Sequence, residues 1–146
     1  GQHKLEMEQR ELTHCPEAVL LRATWLYDLP GYQLPIGGNL PLNLLRAALR
    51  GESVRFSARD FRGVSSVREV IANLPPAFAL PGGVYNFGSG NDFNMVETAR
   101  QFAAILGISV LIEEADWPRN LVMDGAKLRK YGIAFLSTQD ALRRCL

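Results

Sequence analysis

The chain has 146 residues, a length that suits one domain or one half of a larger protein. Its 16 basic and 15 acidic side chains nearly cancel and are scattered along the sequence, which argues against nucleic acid as the main partner because phosphate binding usually needs a clustered basic face. No apolar run approaches the roughly 20 residues that a membrane-spanning helix requires, so no membrane association is expected.

The first part of the sequence predicts a helix, a strand and a long loop. Good helix formers fill residues 5–12, and the first proline is Pro16. Residues 18–27 begin as a nearly continuous apolar run, which is typical of a buried parallel strand. The stretch 28–38 is rich in Pro and Gly, and its length is more common in loops that cover a ligand than in bare connections.

Two helices with capping signals follow this loop. Asn39 is a good amino-terminal cap for the first helix, and Gly51 stands where that helix is expected to end. Ser66 starts the second helix, in which Glu69 is placed to complete a capping box. The proline pair at 75–76 is expected to stop this second helix.

The rest of the sequence continues the alternation of strands and helices. Residues 83–88 predict a strand that leads into a turn, and Asn94 with Glu97 predicts a capping box at the start of an amphipathic helix. The other predicted elements are strands at 54–57 and 108–112 and helices at about 124–131 and 137–146. This alternation predicts an α/β fold in which at least part of the sheet is parallel.

A glycine-rich nucleotide loop is missing from the sequence. The run Gly88-Ser89-Gly90 is followed by Asn91 and Asp92, so it does not fit the spacing Gly-x-Gly-x-x-Gly. The sequence therefore lacks the turn with which Rossmann domains hold a dinucleotide pyrophosphate.

The cysteines and histidines give no sign of a metal site. Cys15 and Cys145 lie near opposite ends of the chain, and in the absence of a secretory signal they are predicted to be reduced thiols of a cytoplasmic protein. His3 and His14 share no ligand spacing with them, so no metal is expected.

Several short segments match one family of enzymes in order and spacing. They are Gly1-Gln2-His3-Lys4, the run Leu-Arg-Ala-Thr-Trp-Leu-Tyr at 21–27, the run Gly-Val-Tyr-Asn-Phe-Gly-Ser-Gly at 83–90, and Pro118-Arg119-Asn120 with Asp124 and Lys127. Over nearly the whole chain these segments resemble the extended short-chain dehydrogenase/reductase family, and within it the dTDP-4-dehydrorhamnose reductase-like branch. The sequence departs from the family pattern at Asp28, at Ser65-Ser66 and at Trp117.

The resemblance implies an α/β fold that is the carboxy-terminal portion of an extended Rossmann-like short-chain dehydrogenase/reductase. Residues 1–146 would form one substrate-binding part. The amino-terminal glycine-rich dinucleotide-binding half would be missing, together with the family's catalytic tyrosine and its Ser/Thr partner. The chain starts with Gly1 and not with methionine, which indicates a trimmed chain, a tag scar or a proteolytic product.

The same resemblance implies a cytoplasmic enzyme of dTDP-rhamnose biosynthesis that reduces a nucleotide-linked 4-keto sugar. Its cofactor would be NADPH or NADH, bound mainly by the missing half, so this piece alone is expected to be inactive. Two other functions stay open: a nucleotide-sugar epimerase or dehydratase of the same family, and a non-catalytic regulatory subunit that binds cofactor and a partner protein. A stable proteolytic remnant is a further possibility.

Lys4 and Thr24 are the residues expected to act on the cofactor side. In the family's Tyr-x-x-x-Lys motif, the tyrosine would stand directly before Gly1 and Lys4 would be the lysine. The resemblance implies that Lys4 stabilises the tyrosine phenolate from the same helix face and reaches the cofactor ribose. Spacing alone would leave Lys4 an ordinary exposed lysine. Thr24 is expected to bond either the backbone or the cofactor amide.

Five residues are candidates for the substrate side. Trp25 would stack against a sugar or base, the alternative being a core aromatic. Arg62 and Arg119 are expected in loops near helix starts, where they would hold a diphosphate, the alternative being solvated loop arginines. Ser65 would touch the ligand, and Asn120 would bind the ligand or orient its loop.

Self-association is also expected for the isolated piece. A sheet separated from its neighbouring strands exposes an edge and an apolar face, and both features favour pairing with a second copy as a homodimer or larger assembly.

Overall fold

The computed structural model describes residues 2–29 and 37–145, which form an α/β structure. Its helices are α1 (Gln2–His14), α2 (Leu40–Arg50), α3 (Val67–Ala77), α4 (Met95–Ile105), α5 (Ala126–Arg129) and α6 (Thr138–Cys145). Its strands are β1 (Val19–Ala23), β2 (Trp25–Tyr27), β3 (Ser53–Ser57), β4 (Asp60–Arg62), β5 (Val64–Ser66), β6 (Gly83–Phe87), β7 (Leu111–Ala115) and β8 (Arg119–Leu121). The predicted alternation is therefore confirmed, with more and shorter strands than the sequence indicated.

The strands form four parallel pairs, and the two strands of each pair are distant in sequence. β1 pairs with β6, β2 with β5, β3 with β7 and β4 with β8. The prediction of a single strand over 18–27 is wrong, because the chain changes partner at Thr24. The residues before Thr24 lie beside β6, and those after it lie beside β5.

Two apolar clusters hold these pairs to the helices. The larger lies between α2, α4, α6 and the β2–β5 pair, and at its centre the rings of Tyr27 and Phe102 meet edge to face with centroids 5.6 Å apart. The second packs Tyr85 and Phe87 of β6 against Leu128 and its neighbours near α5. Each cluster has a buried centre with partly buried apolar residues packed against it. Removal of such side chains from water is the main stabilising contribution to a fold of this kind.

Two of the predicted helix caps are confirmed. At α2 the N–H of Leu42 donates to Asn39 Oδ1 (3.1 Å), and Gly51 ends the helix in the left-handed conformation with φ of 65°. At α4 the capping box is complete: the N–H of Glu97 donates to Asn94 Oδ1 (2.9 Å), and the N–H of Asn94 donates back to Glu97 Oε2 (3.4 Å).

Both predictions about the ends of α3 need correction. Ser66 caps the helix, but Glu69 does not complete a capping box, because its carboxylate accepts from the N–H of Leu136 (3.1 Å) and from Ser89 Oγ (3.4 Å) instead. The proline pair at 75–76 lies inside the last turn, and the helix continues to Ala77. The fixed φ of proline is itself helical, so a carboxy-terminal turn accommodates it at the loss of hydrogen bonds to the preceding turn.

The later boundaries also differ from those predicted. The strand expected at 108–112 lies at Leu111–Ala115, because only these residues are in register with β3. The helix expected at 124–131 is reduced to Ala126–Arg129, since Asp124 Oδ1 accepts from the N–H of Ala126 (2.7 Å) and Gly132 turns the chain with φ of 75°. The helix expected at 137–146 is present as Thr138–Cys145.

The first helix stands apart from both clusters. None of the side chains of α1 is buried, and Leu5 and Met7 are half exposed. An ion pair ties it to the sheet: Arg22 Nη2 of β1 lies 2.5 Å from Glu8 Oε2. Among the described residues, no helix combines the length and apolar character needed to cross a bilayer.

Candidate functional site

Two hydroxyl groups and a backbone N–H form a hydroxyl junction between three strands. Thr24 Oγ1 lies 2.5 Å from Ser65 Oγ, which in turn accepts the N–H of Ser89 at 2.7 Å. Thr24 follows β1, Ser65 belongs to β5 and Ser89 follows β6. Because ligands of α/β proteins bind beyond the carboxyl ends of parallel strands, this junction marks the edge where a site is expected.

Glycines allow the strand ends to come this close. A Cβ atom at Gly88 would lie 2.4 Å from Thr24 Oγ1 and 2.8 Å from Ser65 Oγ. One at Gly63 would lie 2.0 Å from the carbonyl oxygen of Ser89. Neither position has room for a side chain, so the hydroxyl junction depends on both glycines.

Trp25 lies between two cavities at this edge. Trp25 is 47% exposed and belongs to neither apolar cluster. On one side is a cavity of about 330 Å³, lined by Trp25, Leu26, Gly38, Asn39, Leu40, Asn43, Phe56 and Val64. On the other is a small cavity of about 70 Å³ lined by Ala23, Thr24, Trp25, Arg62, Gly63, Leu121 and Met123. The larger cavity is in the volume range of small-ligand sites and has the mixture of apolar walls and a few amides that such sites use.

Arg62 is buried against the same tryptophan. It lies in strand β4, not in a loop as predicted, and it is 3% exposed. Its Nε and Nη2 atoms donate to the two carboxylate oxygens of Asp60 at 3.0 and 2.7 Å, and its Cζ lies 4.0 Å from the centroid of the Trp25 ring. Two of the N–H donors of Arg62 are thus committed to Asp60, and burial of the side chain leaves the others little access to a diphosphate.

Lys4 faces a separate, wider groove. This groove of about 790 Å³ runs between α1 and β1 and is lined by Lys4, Leu5, Glu8, Leu21, Arg22, Ala23, Leu121 and Met123. It shares Ala23, Leu121 and Met123 with the small cavity beside Trp25. The structure therefore places Lys4 and Trp25 along one continuous surface.

An ion pair shapes the electrostatics of the groove. The bond from Arg22 holds the pKa of the Glu8 carboxyl below its ordinary value, and the same bond raises the pKa of Arg22. The pair fixes α1 against β1 at the level where Lys4 enters the groove.

The remaining predicted residues occupy two different settings. Ser65 is fully buried, with its hydroxyl engaged by Thr24 and Ser89, so a direct contact with ligand would need local movement. Arg119 and Asn120 are exposed on strand β8, where a loop had been predicted. Asn120 Oδ1 accepts the N–H of Val122 at 3.1 Å.

Sequence reasoning missed several residues at this edge. Asp60 was overlooked although it stands two positions before Arg62, the spacing that places two strand residues on one face. Asn43 and Phe56 line the larger cavity and carried no motif. Arg59 was also missed: its carbonyl oxygen accepts the N–H of Arg119 (3.0 Å), and its exposed guanidinium bonds Asp116 (2.9 Å).

One buried hydroxyl near the hydroxyl junction is unsatisfied. Tyr27 Oη has no hydrogen-bond partner among the described residues, and the adjacent Ser66 Oγ and Cys145 Sγ bond each other at 3.2 Å. Burial, and after it the neighbouring Cys145, raises the pKa of Tyr27 well above its ordinary value. Tyr27 is therefore a neutral phenol in the folded chain.

Among known proteins, only solved structures match the chain. No protein-family model and no curated protein sequence matches the chain. Solved structures do match it, and they confirm the predicted fold class: the chain has the Rossmann-like α/β fold of extended short-chain dehydrogenases/reductases, over a part of that fold.

Three of these structures are sugar-nucleotide enzymes. The dTDP-4-dehydrorhamnose reductase of Bacillus anthracis, in complex with NADP, matches with a TM-score of 0.70 and 17% identity over 86% of this chain and 45% of its own. The UDP-glucose 4-epimerase of Thermus thermophilus, in complex with NAD, matches with a TM-score of 0.67 and 22% identity over 97% of this chain and 49% of its own. The dTDP-glucose 4,6-dehydratase of B. anthracis, in complex with NAD, matches with a TM-score of 0.69 and 18% identity over 96% of this chain and 47% of its own. The chain thus spans about half the length of the structures it matches.

Proposed function

We propose that the chain is the substrate-side part of a cytoplasmic NAD(P)H-dependent reductase that acts on a nucleotide-linked 4-keto sugar, dTDP-4-dehydrorhamnose being the substrate that the sequence resemblance favours. The observation that carries the proposal is the half-exposed indole of Trp25. It stands between two cavities at the carboxyl ends of parallel strands, on the surface that continues to Lys4. A complementary half would supply the dinucleotide loop and the catalytic tyrosine.

The groove beside Lys4 suits the reactive end of a nicotinamide cofactor. Its floor is largely apolar, formed by Leu21, Ala23, Leu121 and Met123, while Lys4 and the Glu8–Arg22 pair lie at its rim. Such a surface fits a flat ring and a ribose better than a pyrophosphate. Lys4 and Thr24 would hold this part of the cofactor, which when bound supplies the hydride.

In this proposal the chain's own residues handle the proton and the sugar. Reduction of a ketone leaves an alkoxide that must gain a proton, and the tyrosine of the complementary half would donate it. The ammonium of Lys4 would lower the pKa of that phenol from about 10 by stabilising its anion. Trp25 would contact a ring of the substrate, with Asn120 and Arg119 on the exposed side of β8.

Turnover by the complete protein tests this function. NADPH oxidation with dTDP-4-dehydrorhamnose is measured for the wild type, for Lys4→Ala and for the control Lys130→Ala, which alters an exposed lysine at the end of α5. Loss of acid–base assistance is expected to lower kcat by roughly 10²–10⁴-fold in Lys4→Ala and to leave Lys130→Ala unchanged. Equal turnover in both variants would remove Lys4 from the mechanism.

A second candidate is an epimerase or dehydratase of the same fold. The observation in its favour is that the epimerase and dehydratase structures match with TM-scores of 0.67 and 0.69, beside 0.70 for the reductase. Such an enzyme would convert a nucleotide sugar without net consumption of NADPH. Product analysis in the same assay separates the two reactions, and a protein that shows neither but co-purifies with another enzyme would fit the regulatory alternative.

We propose, finally, that the surface around α1 is covered in the complete protein. Leu5, Met7 and Leu121 are each about half exposed, and in the described part of the chain the edge of β1 away from β6 has no partner strand. The isolated piece is accordingly proposed to self-associate through this face. Sedimentation at increasing concentration measures this, and a monomer throughout would contradict it.

A further inference from the structure

The indole of Trp25 is an exposed ring with a buried support. Trp25 begins a three-residue strand in which only Tyr27 is buried, so the strand itself gives the indole little packing. The guanidinium of Arg62 fills this role, with its Cζ 4.0 Å from the centroid of the ring. A cation in this position is attracted to the face of an indole and restricts its rotation.

The support is itself held rigidly. Both carboxylate oxygens of Asp60 accept from Arg62, and this two-pronged geometry fixes the plane of the guanidinium. The side chains of Arg62 and Asp60 are only 4% and 6% exposed, so water competes little with the pair. The carbonyl oxygen of Arg62 also accepts from Asn91 Nδ2 at 2.9 Å, and Gln139 Nε2 donates to Asn91 Oδ1 at 2.9 Å.

The Asp60–Arg62 ion pair is buried beneath an exposed tryptophan. Ion pairs in protein interiors contribute little net stability, because desolvation of the two charges offsets their attraction. What this pair does achieve is a fixed orientation of one ring that lines the cavity of about 330 Å³. Pre-ordering a ring in this way removes part of the entropy cost of binding.

We propose that Asp60 and Arg62 are positioning residues, which hold the Trp25 indole as a fixed wall on which a ring of the bound ligand stacks. Arg62 acts through Trp25 and makes no contact with the ligand phosphates. The identity of the ligand as a nucleotide sugar rests on the proposed function, whereas the immobilisation of the indole does not.

Fluorescence tests the immobilisation without any ligand. The sequence has two tryptophans, so Trp117→Phe leaves Trp25 as the sole emitter. In that background Arg62→Met and Asp60→Asn are expected to increase acrylamide quenching of Trp25 at least twofold and to lower its anisotropy. The control Arg59→Met removes a nearby exposed arginine and should change neither.

A conservative variant guards against loss of folding. Arg62→Lys keeps the charge and one bond to Asp60 but lacks the planar fork, so it should fall between the wild type and Arg62→Met. Circular dichroism and the urea midpoint identify the variants that fold. An indole equally immobile in folded Arg62→Lys, Arg62→Met and Asp60→Asn would overturn the proposal.

A series of ligands of increasing size shows whether Arg62 positions Trp25 or binds phosphate. Calorimetry on the complete protein compares thymidine, dTDP and dTDP-glucose in the wild type and in Arg62→Lys. If Arg62 acts through Trp25, the loss of affinity, expected to be about tenfold, appears at thymidine or only when the sugar ring is added. A loss that first appears with dTDP would show a phosphate contact and refute the proposal. If the wild type binds none of the three, the proposed function fails, and the fluorescence result still decides the positioning role.

Discussion

Gly63 offers the sharpest test of the packing beneath the site. This glycine separates β4 from β5, and a Cβ atom built on it would lie 2.0 Å from the carbonyl oxygen of Ser89 and 3.1 Å from Thr24 Cγ2. The first contact is with backbone, so no side-chain rotation can relieve it. Overpacking typically costs about 1–3 kcal/mol, and we expect Gly63→Ala to destabilise the fold by about 3 kcal/mol, the upper end of that range.

Urea unfolding followed by circular dichroism measures this cost, with Gly90→Ala as the matched control. A Cβ atom at Gly90 meets nothing within 4 Å, so that variant should stay within about 0.5 kcal/mol of the wild type. For a chain of this size, about 3 kcal/mol corresponds to a fall in Tm of roughly 6–12 °C. If the two variants unfold at the same urea concentration, the close approach of Gly63 to Ser89 is not a feature of the folded protein.

Two further predictions concern titrating groups. Burial raises the pKa of Tyr27, so above about pH 10 the unfolded chain loses a proton that the folded chain keeps, and the free energy of unfolding falls. Tyr27→Phe should remove this loss of stability at alkaline pH and, by deleting an unsatisfied buried hydroxyl, raise the free energy of unfolding at neutral pH by about 1 kcal/mol. Urea unfolding at neutral pH and above pH 10 measures both effects, with the exposed Tyr131→Phe as the control. Equal behaviour of the two variants would contradict the prediction. The pKa of Glu8 is lowered by its bond from Arg22, so the stabilisation that this ion pair gives to α1 is fully present above about pH 4.3 and is lost as the pH falls through the lowered pKa of Glu8. Arg22→Gln should return this pKa to its ordinary value in an NMR titration, and an unchanged value would show that the pair does not form in solution.

The features that sequence reasoning found are those encoded within a few residues. Asn39 and Gly51 mark both ends of α2, and Asn94 with Glu97 closes a capping box, because each signal joins a side chain to backbone within one turn. The fold class followed from the alternation of elements and from the ordered resemblance. A cap is read within a few residues, and the fold class is read by adding up many short segments along the chain.

The features that it missed depend on partners far away in sequence. Glu69 fits a capping box locally, but Leu136, 67 positions later, takes its carboxylate. Thr24 lies where the chain changes its partner strand, and its hydroxyl meets Ser65, 41 positions away. No window of sequence contains both partners, so local patterns favour the wrong outcome at each of these residues.

Only part of the candidate site was predicted, because its geometry also depends on residues that are distant in sequence. The resemblance singled out Lys4 and Trp25, and the structure places them on one surface. Arg62 was also singled out, as a loop residue, and the structure instead finds it buried in a strand against Asp60. Burial is decided by what packs over a strand, which neither composition nor spacing records.

The support of Trp25 arises from two strand interruptions that touch. Thr24 separates β1 from β2, and Gly63 separates β4 from β5, so that Trp25 directly follows one break and Arg62 directly precedes the other. The breaks lie against each other, since a Cβ atom at Gly63 would be 3.1 Å from Thr24 Cγ2. Each break redirects its strand, and their contact brings the indole over the guanidinium. The orientation of the exposed ring in the candidate site is therefore set by the buried ion pair on which the ring lies.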